Sequence, residues 1–262
     1  MDIAAEDQRA LELIFARCER DPVCAENFPD LRTQFDEILA ALEEAPVPVQ
    51  VNDPVTGERL DIEFTRAMFA TVIRFYSYSP ETVALLPLLI STAEADYSRL
   101  ASQYLILTAD LTESINNGMG YSVQCAEDVP FFTAEEAAQA AEGTYLSALI
   151  SGGLLEICDT WPGGRIPADF KDPVRADVPV LLLSGEYDPV TPPAYAELAA
   201  ETLPNSLHLI APGQGHNVIL RGCLPDLAET FLATGTVDGL ETDCVRAIEP
   251  FPFFVNFSGP MP

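Results

Sequence analysis

Two short loops hold the residue types that can move a proton. Ser184-Gly185-Glu186-Tyr187-Asp188-Pro189-Val190-Thr191-Pro192 places acids just beyond an apolar run, and Gly213-Gln214-Gly215-His216-Asn217 places a histidine among glycines. A carboxylate that accepts the imidazole Nδ1 proton fixes the tautomer and stabilises the imidazolium. The other ring nitrogen is then left to act as general base toward a hydroxyl nucleophile. The flanking glycines allow the turn to swing the ring back over a strand end. Taken singly, Asp188-Pro189 reads as a turn and His216 as a surface residue. Their joint spacing, 28 residues with one helix and one strand between, makes Asp188 and His216 a candidate acid–base pair. His208, the other histidine, falls mid-strand and reads as a packed sheet residue.

The elements that must carry these loops come late in the chain. Val180-Leu181-Leu182-Leu183 is a fully apolar run, as expected of a parallel strand covered on both faces. Thr191 is positioned to cap a helix with Pro192 at its first position, running to about residue 203. A second strand follows over 206–210, and a helix over about 224–233. Strand, helix, strand, helix is α/β architecture, although two strands are few for a parallel sheet. The first two-thirds of the chain reads mainly as helices, near 4–20, 31–45, 65–77, 80–98, 100–116 and 134–142. Leu31, Phe35, Ile38, Leu39 and Leu42 share one face of the second of these. Asn117-Gly118 reads as a stop, and Thr133 with Glu136 as a capping box. Between the helices, Val47, Val49 and Val51, then Leu60, Ile62 and Phe64, alternate about a turn at Asp53-Pro54, which is the pattern of a β-hairpin.

Composition limits the partners. The 262 residues carry 41 Asp+Glu against 13 Lys+Arg, a formal charge of −28, and Lys171 is the only lysine. Such a surface repels phosphate backbones and anionic lipid, which argues against nucleic-acid and bilayer partners. The longest apolar stretch, residues 83–90, is too short to span a membrane. Two histidines and no CxxC pattern give no zinc site, and neither a metal nor another cofactor is expected. Six cysteines without a metal pattern suit an oxidising compartment. Proximity in sequence favours Cys18–Cys24 and Cys223–Cys244, with Cys125–Cys158 as the remaining pair, among the many connectivities that six cysteines allow. The residues after Met1 have neither the basic region nor the apolar core of a signal peptide.

Residues 179–216, PVLLLSGEYDPVTPPAYAELAAETLPNSLHLIAPGQGH, resemble the C-terminal part of the prolyl-aminopeptidase and tripeptidyl-aminopeptidase-like α/β-hydrolases, whose triad runs Ser…Asp…His along the chain. The stretch ARCERDPVCAENFPDL around Cys18 and Cys24, and Ser122-Val123-Gln124-Cys125-Ala126-Glu127-Asp128, are similar to that family's helical cap; Gly222-Cys223 and Asp243-Cys244 recur in the same style. The resemblance implies an α/β fold: a helical cap region containing the hairpin over 1–170, and the C-terminal part of an α/β-hydrolase core, two strand–helix units, over 171–262. It implies a secreted or periplasmic serine hydrolase, an exo-aminopeptidase acting on peptide N-termini or a carboxylesterase. Asp188 and His216 then take the acid and base roles. Glu127 and Asp128 are candidates to bind the substrate's α-ammonium, or are residues of a solvated acidic loop. Trp161, the only tryptophan, either walls the pocket or packs behind the cap.

One departure is sharp. The family's Gly-x-Ser-x-Gly nucleophile elbow does not occur in these residues. Gly120-Tyr121-Ser122-Val123-Gln124 lacks the second glycine, and Ser151-Gly152-Gly153 fits no better. The amides of an oxyanion hole beside such a serine are absent with it. We therefore expect the functional protein to begin before Met1 or to receive its serine from a separate N-terminal half. The rival expectation is a non-catalytic module that binds a peptide or a partner. A third, an acidic cation-binding protein, finds no calcium motif in the sequence.

Overall fold

The protein is described by a computed structural model covering residues 2–93 and 96–260. Three helices come first: α1 (Ile3–Arg20), α2 (Pro22–Asn27) and α3 (Leu31–Glu44). Helix α1 buries Ala4, Asp7, Ala10, Leu11, Ile14, Phe15 and Cys18 at helical spacing, with one acid among its apolar residues. It ends where the Asp21 carboxylate accepts the Val23 and Cys24 N–H groups, and Pro22 opens α2 without losing a needed donor. The apolar face expected on α3 is the buried one, and Phe35 meets the rings of Phe15, Phe69 and Tyr145.

The hairpin follows as β1 (Val47–Asn52) and β2 (Arg59–Phe64), antiparallel with Val47 opposite Phe64 and Asn52 opposite Arg59. Its turn closes on the Asp53 carboxylate, which accepts the N–H groups of Val55 and Thr56, and on Gly57 in the left-handed region at φ 75°. The chain then continues through α4 (Arg66–Tyr76), α5 (Pro80–Val83), α6 (Leu86–Ala93), α7 (Ser98–Ser114), α8 (Asn117–Glu127), α9 (Ala134–Ala140) and α10 (Leu149–Cys158). The capping box on α9 is present in full.

Several expectations are corrected here. Helix α7 stops at Ser114, just ahead of Asn117-Gly118, but the Asn116 side chain accepts the Met119 N–H and starts a further helix, α8, which the sequence reading lacks. Residues 149–158, with their paired glycines, form α10 and pack on α8 and α9. The segment read as one helix from residue 80 breaks between α5 and α6.

The last third holds β3 (Val180–Gly185), α11 (Pro193–Ala200), β4 (Ser206–Ala211) and α12 (Leu224–Thr234). The two strands pair in parallel, Val180 beside Ser206 and Gly185 beside Ala211. Helix α11 starts after Pro192, one position later than expected, since the Thr191 hydroxyl is committed to Asp188. A small core of Leu209, Ala211, Val218, Leu224, Leu227, Val245 and Ile248 lies between this sheet, α12 and the following turn. The larger core joins the helices to the hairpin and also takes in Tyr187 and Phe253. Phe253 lies 3.7 Å beneath the Arg17 guanidinium, and the Phe254 N–H donates to the Ala84 carbonyl, so the C-terminal tail runs back over α1 and α5.

The cysteines pair as Cys18–Cys24, Cys125–Cys158 and Cys223–Cys244. These bonds tie α1 to α2, α8 to α10, and the start of α12 to the turn at Asp243–Ala247. Three disulfides are compatible with an oxidising extracellular environment. Among the described residues, no helix is long and apolar enough to cross a membrane.

Candidate active site

Both candidate loops leave the carboxyl ends of the parallel strands, where open α/β sheets form their crevices. They are laced together before any side chain meets another. The Glu186 N–H donates to the Ala211 carbonyl, the Tyr187 N–H to the Gln214 carbonyl, and the Gly213 N–H to the Glu186 carboxylate at 2.8 Å. The approach is close enough that a Cβ on Gly185 would stand 2.0 Å from the Gly215 carbonyl oxygen. Only glycine fits there.

Asp188 is 3% exposed, yet its carboxylate is fully engaged. Oδ1 accepts the N–H groups of Val190 (2.7 Å) and Thr191 (2.9 Å); Oδ2 accepts the Thr191 hydroxyl (2.9 Å) and lies 2.9 Å from His216 Nδ1. A buried charge is tolerable when its lone pairs are satisfied in this way. A carboxylate that accepts from Nδ1 leaves Nε2 as the ring nitrogen free to take up a proton. Among the described residues, Nε2 has no hydrogen-bond partner, and the side chain keeps a quarter of its surface exposed. The next residue, Asn217, turns left-handed at φ 63°, a conformation asparagine tolerates.

Helices far away in sequence hold the loops in place. Arg9 on α1 donates to the carbonyls of Glu186 (3.1 Å) and Asp188 (2.7 Å). The His216 N–H donates to the Tyr78 carbonyl at 2.7 Å, and the Tyr78 ring stands edge-on to the imidazole with centroids 5.7 Å apart. Burial pushes the Tyr78 phenol up, so its hydroxyl stays protonated. Glu81 on α5 grips Arg221, five residues beyond the histidine, in a two-pronged ion pair. Chiefly through that Arg221 hydrogen bond, the Glu81 carboxyl is held at about 2. Nothing local in the sequence marks Arg9 or Tyr78 as parts of this site.

The remaining candidates are placed less tightly. Asp128 lines a cavity of about 310 Å³ together with Phe131, Leu146, Ile150, Lys171 and Val190, the last only two residues from Asp188. Its carboxylate is 3.7 Å from Lys171 Nζ. Glu127 is half-buried at the end of α8 and is not among that cavity's lining residues. Trp161 packs on Tyr121 and donates its indole N–H to the Ser122 hydroxyl, which itself donates to the Gly118 carbonyl. Ser122 is therefore a helix residue tied to its own turn, and Ser151 sits on α10. His208 Nε2 is 2.9 Å from Ser184 Oγ across the strands, and burial pushes its pKa down. Among the described residues, no group of three or more His, Cys, Asp or Glu is arranged for a metal.

The geometry is that of a carboxylate-oriented imidazole at the end of a parallel sheet. No curated protein matches the chain. A protein-family model described as TAP-like protein, an α/β-hydrolase family, matches residues 144–244. That span contains β3, α11, β4, α12 and both loops, and the match supports an α/β-hydrolase family and a hydrolase-type function for this part of the chain.

Proposed function

We propose that this chain supplies the acid and base of a Ser–His–Asp hydrolase acting on amide or ester bonds. The observation that carries the reading is the Asp188–His216 contact, with Nδ1 pinned to a carboxylate whose other lone pairs are taken. In this reading Nε2 removes the hydroxyl proton of a serine as that oxygen attacks the substrate carbonyl. The imidazolium then returns the proton to the departing amine or alkoxide, and Asp188 stabilises its charge throughout. The serine and its oxyanion donors come from polypeptide outside these residues, in the same chain or in a separate N-terminal half. An exposed apolar surface supports an additional covering segment: Ile219, Leu220 and Leu232 line an open groove of about 630 Å³ on the side of α12 turned away from its buried Leu224 and Leu227.

The similarity to aminopeptidases favours a peptide with a free N-terminus as substrate. Asp128, at the edge of the cavity near Val190, is the better placed of the two acids to meet an α-ammonium, exchanging its Lys171 partner for it. A carboxylester is the alternative substrate, and the disulfides favour a periplasmic or secreted location.

Hydrolysis of aminoacyl-4-nitroanilides and 4-nitrophenyl esters by the protein produced together with the serine-bearing polypeptide tests this reading. His216→Ala and Asp188→Asn are each expected to lower kcat by about 10³-fold or more. An N-acetylated anilide should be refused if the α-ammonium is recognised. Unchanged hydrolysis in both variants would remove the triad assignment. The lack of a serine elbow in the sequence itself favours a second reading, a non-catalytic binding module, for which saturable peptide binding without turnover is the expected result.

A further inference from the structure

The loop that carries His216 is pressed onto one residue, Tyr78, which follows the end of α4. Besides the backbone hydrogen bond and the edge-on ring contact, a Cβ on Gly215 would meet the Tyr78 carbonyl oxygen at 2.3 Å. Tyr78 is itself held from behind. Arg74 Nη2 donates to its hydroxyl at 3.0 Å, and the guanidinium lies 5.6 Å from its ring centroid. Arg74 forms an ion pair with Asp7 of α1, whose side chain is fully buried, and the Tyr145 hydroxyl donates to the same carboxylate at 3.3 Å. An ion pair in such a place adds little net stability over apolar packing, because both charges lose their water. What it does supply is a fixed direction. Two residues after Asp7, Arg9 holds the carbonyls on either side of Tyr187. One helix therefore anchors both loops.

We propose that Asp7, Arg74 and Tyr78 form a buried positioning network that sets the orientation of the His216 ring toward Asp188. The network extends from α1 through α4 to the histidine loop, with Arg9 fixing the acid loop from the same helix. It makes the helical region part of the active-site frame as well as its cover. The inference rests on the reading of His216 as the base, because orientation matters only if Nε2 must face a nucleophile.

The protein has two histidines, so a ring ¹⁵N–¹H spectrum of the full chain gives one set of signals from each. His208, bound to Ser184, is an internal control for general loosening of the fold. The readout is the solvent exchange rate of the His216 Nδ1 proton at constant pH and temperature. Tyr78→Leu removes both the ring contact and the hydroxyl, and is expected to speed that exchange by about tenfold or more while His208 changes by less than about twofold. Tyr78→Phe loses only the hydroxyl and its Arg74 hydrogen bond, keeps the ring contacts, and should give about threefold. If Tyr78→Leu fails to fold, Tyr78→Phe carries the test alone. Unaltered His216 exchange in the folded variants overturns the proposal, and so does equal acceleration at both histidines. The readout is a ring proton and does not depend on turnover. No hydrolysis by the protein produced together with the serine-bearing polypeptide, alongside an ordered, Tyr78-dependent His216, would refute the hydrolase reading and leave the network standing.

Discussion

Gly215→Ala is the most informative single-methyl change available to this fold. The added Cβ would sit 2.3 Å from the Tyr78 carbonyl oxygen and 3.1 Å from that of Ser77. Both are backbone atoms at the end of α4, so no flexible side chain can swing aside. The loop must lift, and lifting it stretches the 2.7 Å hydrogen bond from the His216 N–H to Tyr78. Overpacking of this kind costs about 1–3 kcal/mol, and a lost hydrogen bond adds about 1 kcal/mol. The sum, about 2–4 kcal/mol, should move the urea midpoint down by about 1–2 M. Gly153→Ala is the matched control: it lies within α10 with open space around the new methyl, and helix propensity should raise stability by up to about 1 kcal/mol. Fluorescence-detected urea unfolding of both variants against the parent measures the difference. If Gly215→Ala proves neutral, the histidine loop is not seated on Tyr78 and the site geometry argued above is wrong.

Further expectations follow from the same contacts. The Glu81 carboxyl is depressed to about 2 by Arg221 and Ser79, so the pair stabilises the fold above pH 4.5 and that contribution fades as pH falls toward 2. Glu81 remains partly exposed, which limits the effect to about 1 kcal/mol; Glu81→Gln should lower Tm at pH 7 and make no difference near pH 2, while an equal loss at both would contradict the linkage. His208 has its pKa lowered by burial, so acidification below the ordinary value of 6.5 should destabilise the protein, and His208→Asn should flatten that part of a pH–Tm profile. Replacing both cysteines of the bond spanning 33 residues should cost about 4 kcal/mol, against about 2 kcal/mol for the bond spanning 6, with the reverse order in urea titrations counting against the loop-entropy account. Arg9→Met removes two donors from the acid loop and should speed amide exchange at Val190 and Thr191 more than on α3.

The parts of this fold legible in the sequence are those governed by local periodicity. The alternation of Val47, Val49 and Val51 against Leu60, Ile62 and Phe64 places the hairpin, and the apolar run at Val180 places the first parallel strand. The approach of Asp188 to His216 is legible from its spacing taken with the Asp…His chain order of α/β-hydrolases, because one helix and one strand return the chain to the same sheet end. Helix α8 is masked in the sequence by Asn117-Gly118, which reads as a stop, and α10 carries two glycines; packing among α8, α9 and α10 and the Cys125–Cys158 bond hold both. Thr191 looked like a helix cap, but its hydroxyl bonds to the neighbouring catalytic-type acid, a choice made by tertiary geometry. Asp7, Arg74 and Tyr78 could not be found by pattern: an acid within an apolar helix face is a weak signal, and its partners lie far along the chain.

The central claim is that His216 serves a serine carried on polypeptide outside these residues. A fluorophosphonate probe, which reacts only with an activated serine, tests it when applied to the protein expressed from its native locus, followed by mapping of the labelled peptide. The account predicts a single labelled serine lying outside the 262 residues, with labelling abolished in His216→Ala. A label on Ser122, Ser151 or any other serine of this chain, or equal labelling with and without the imidazole, would contradict it.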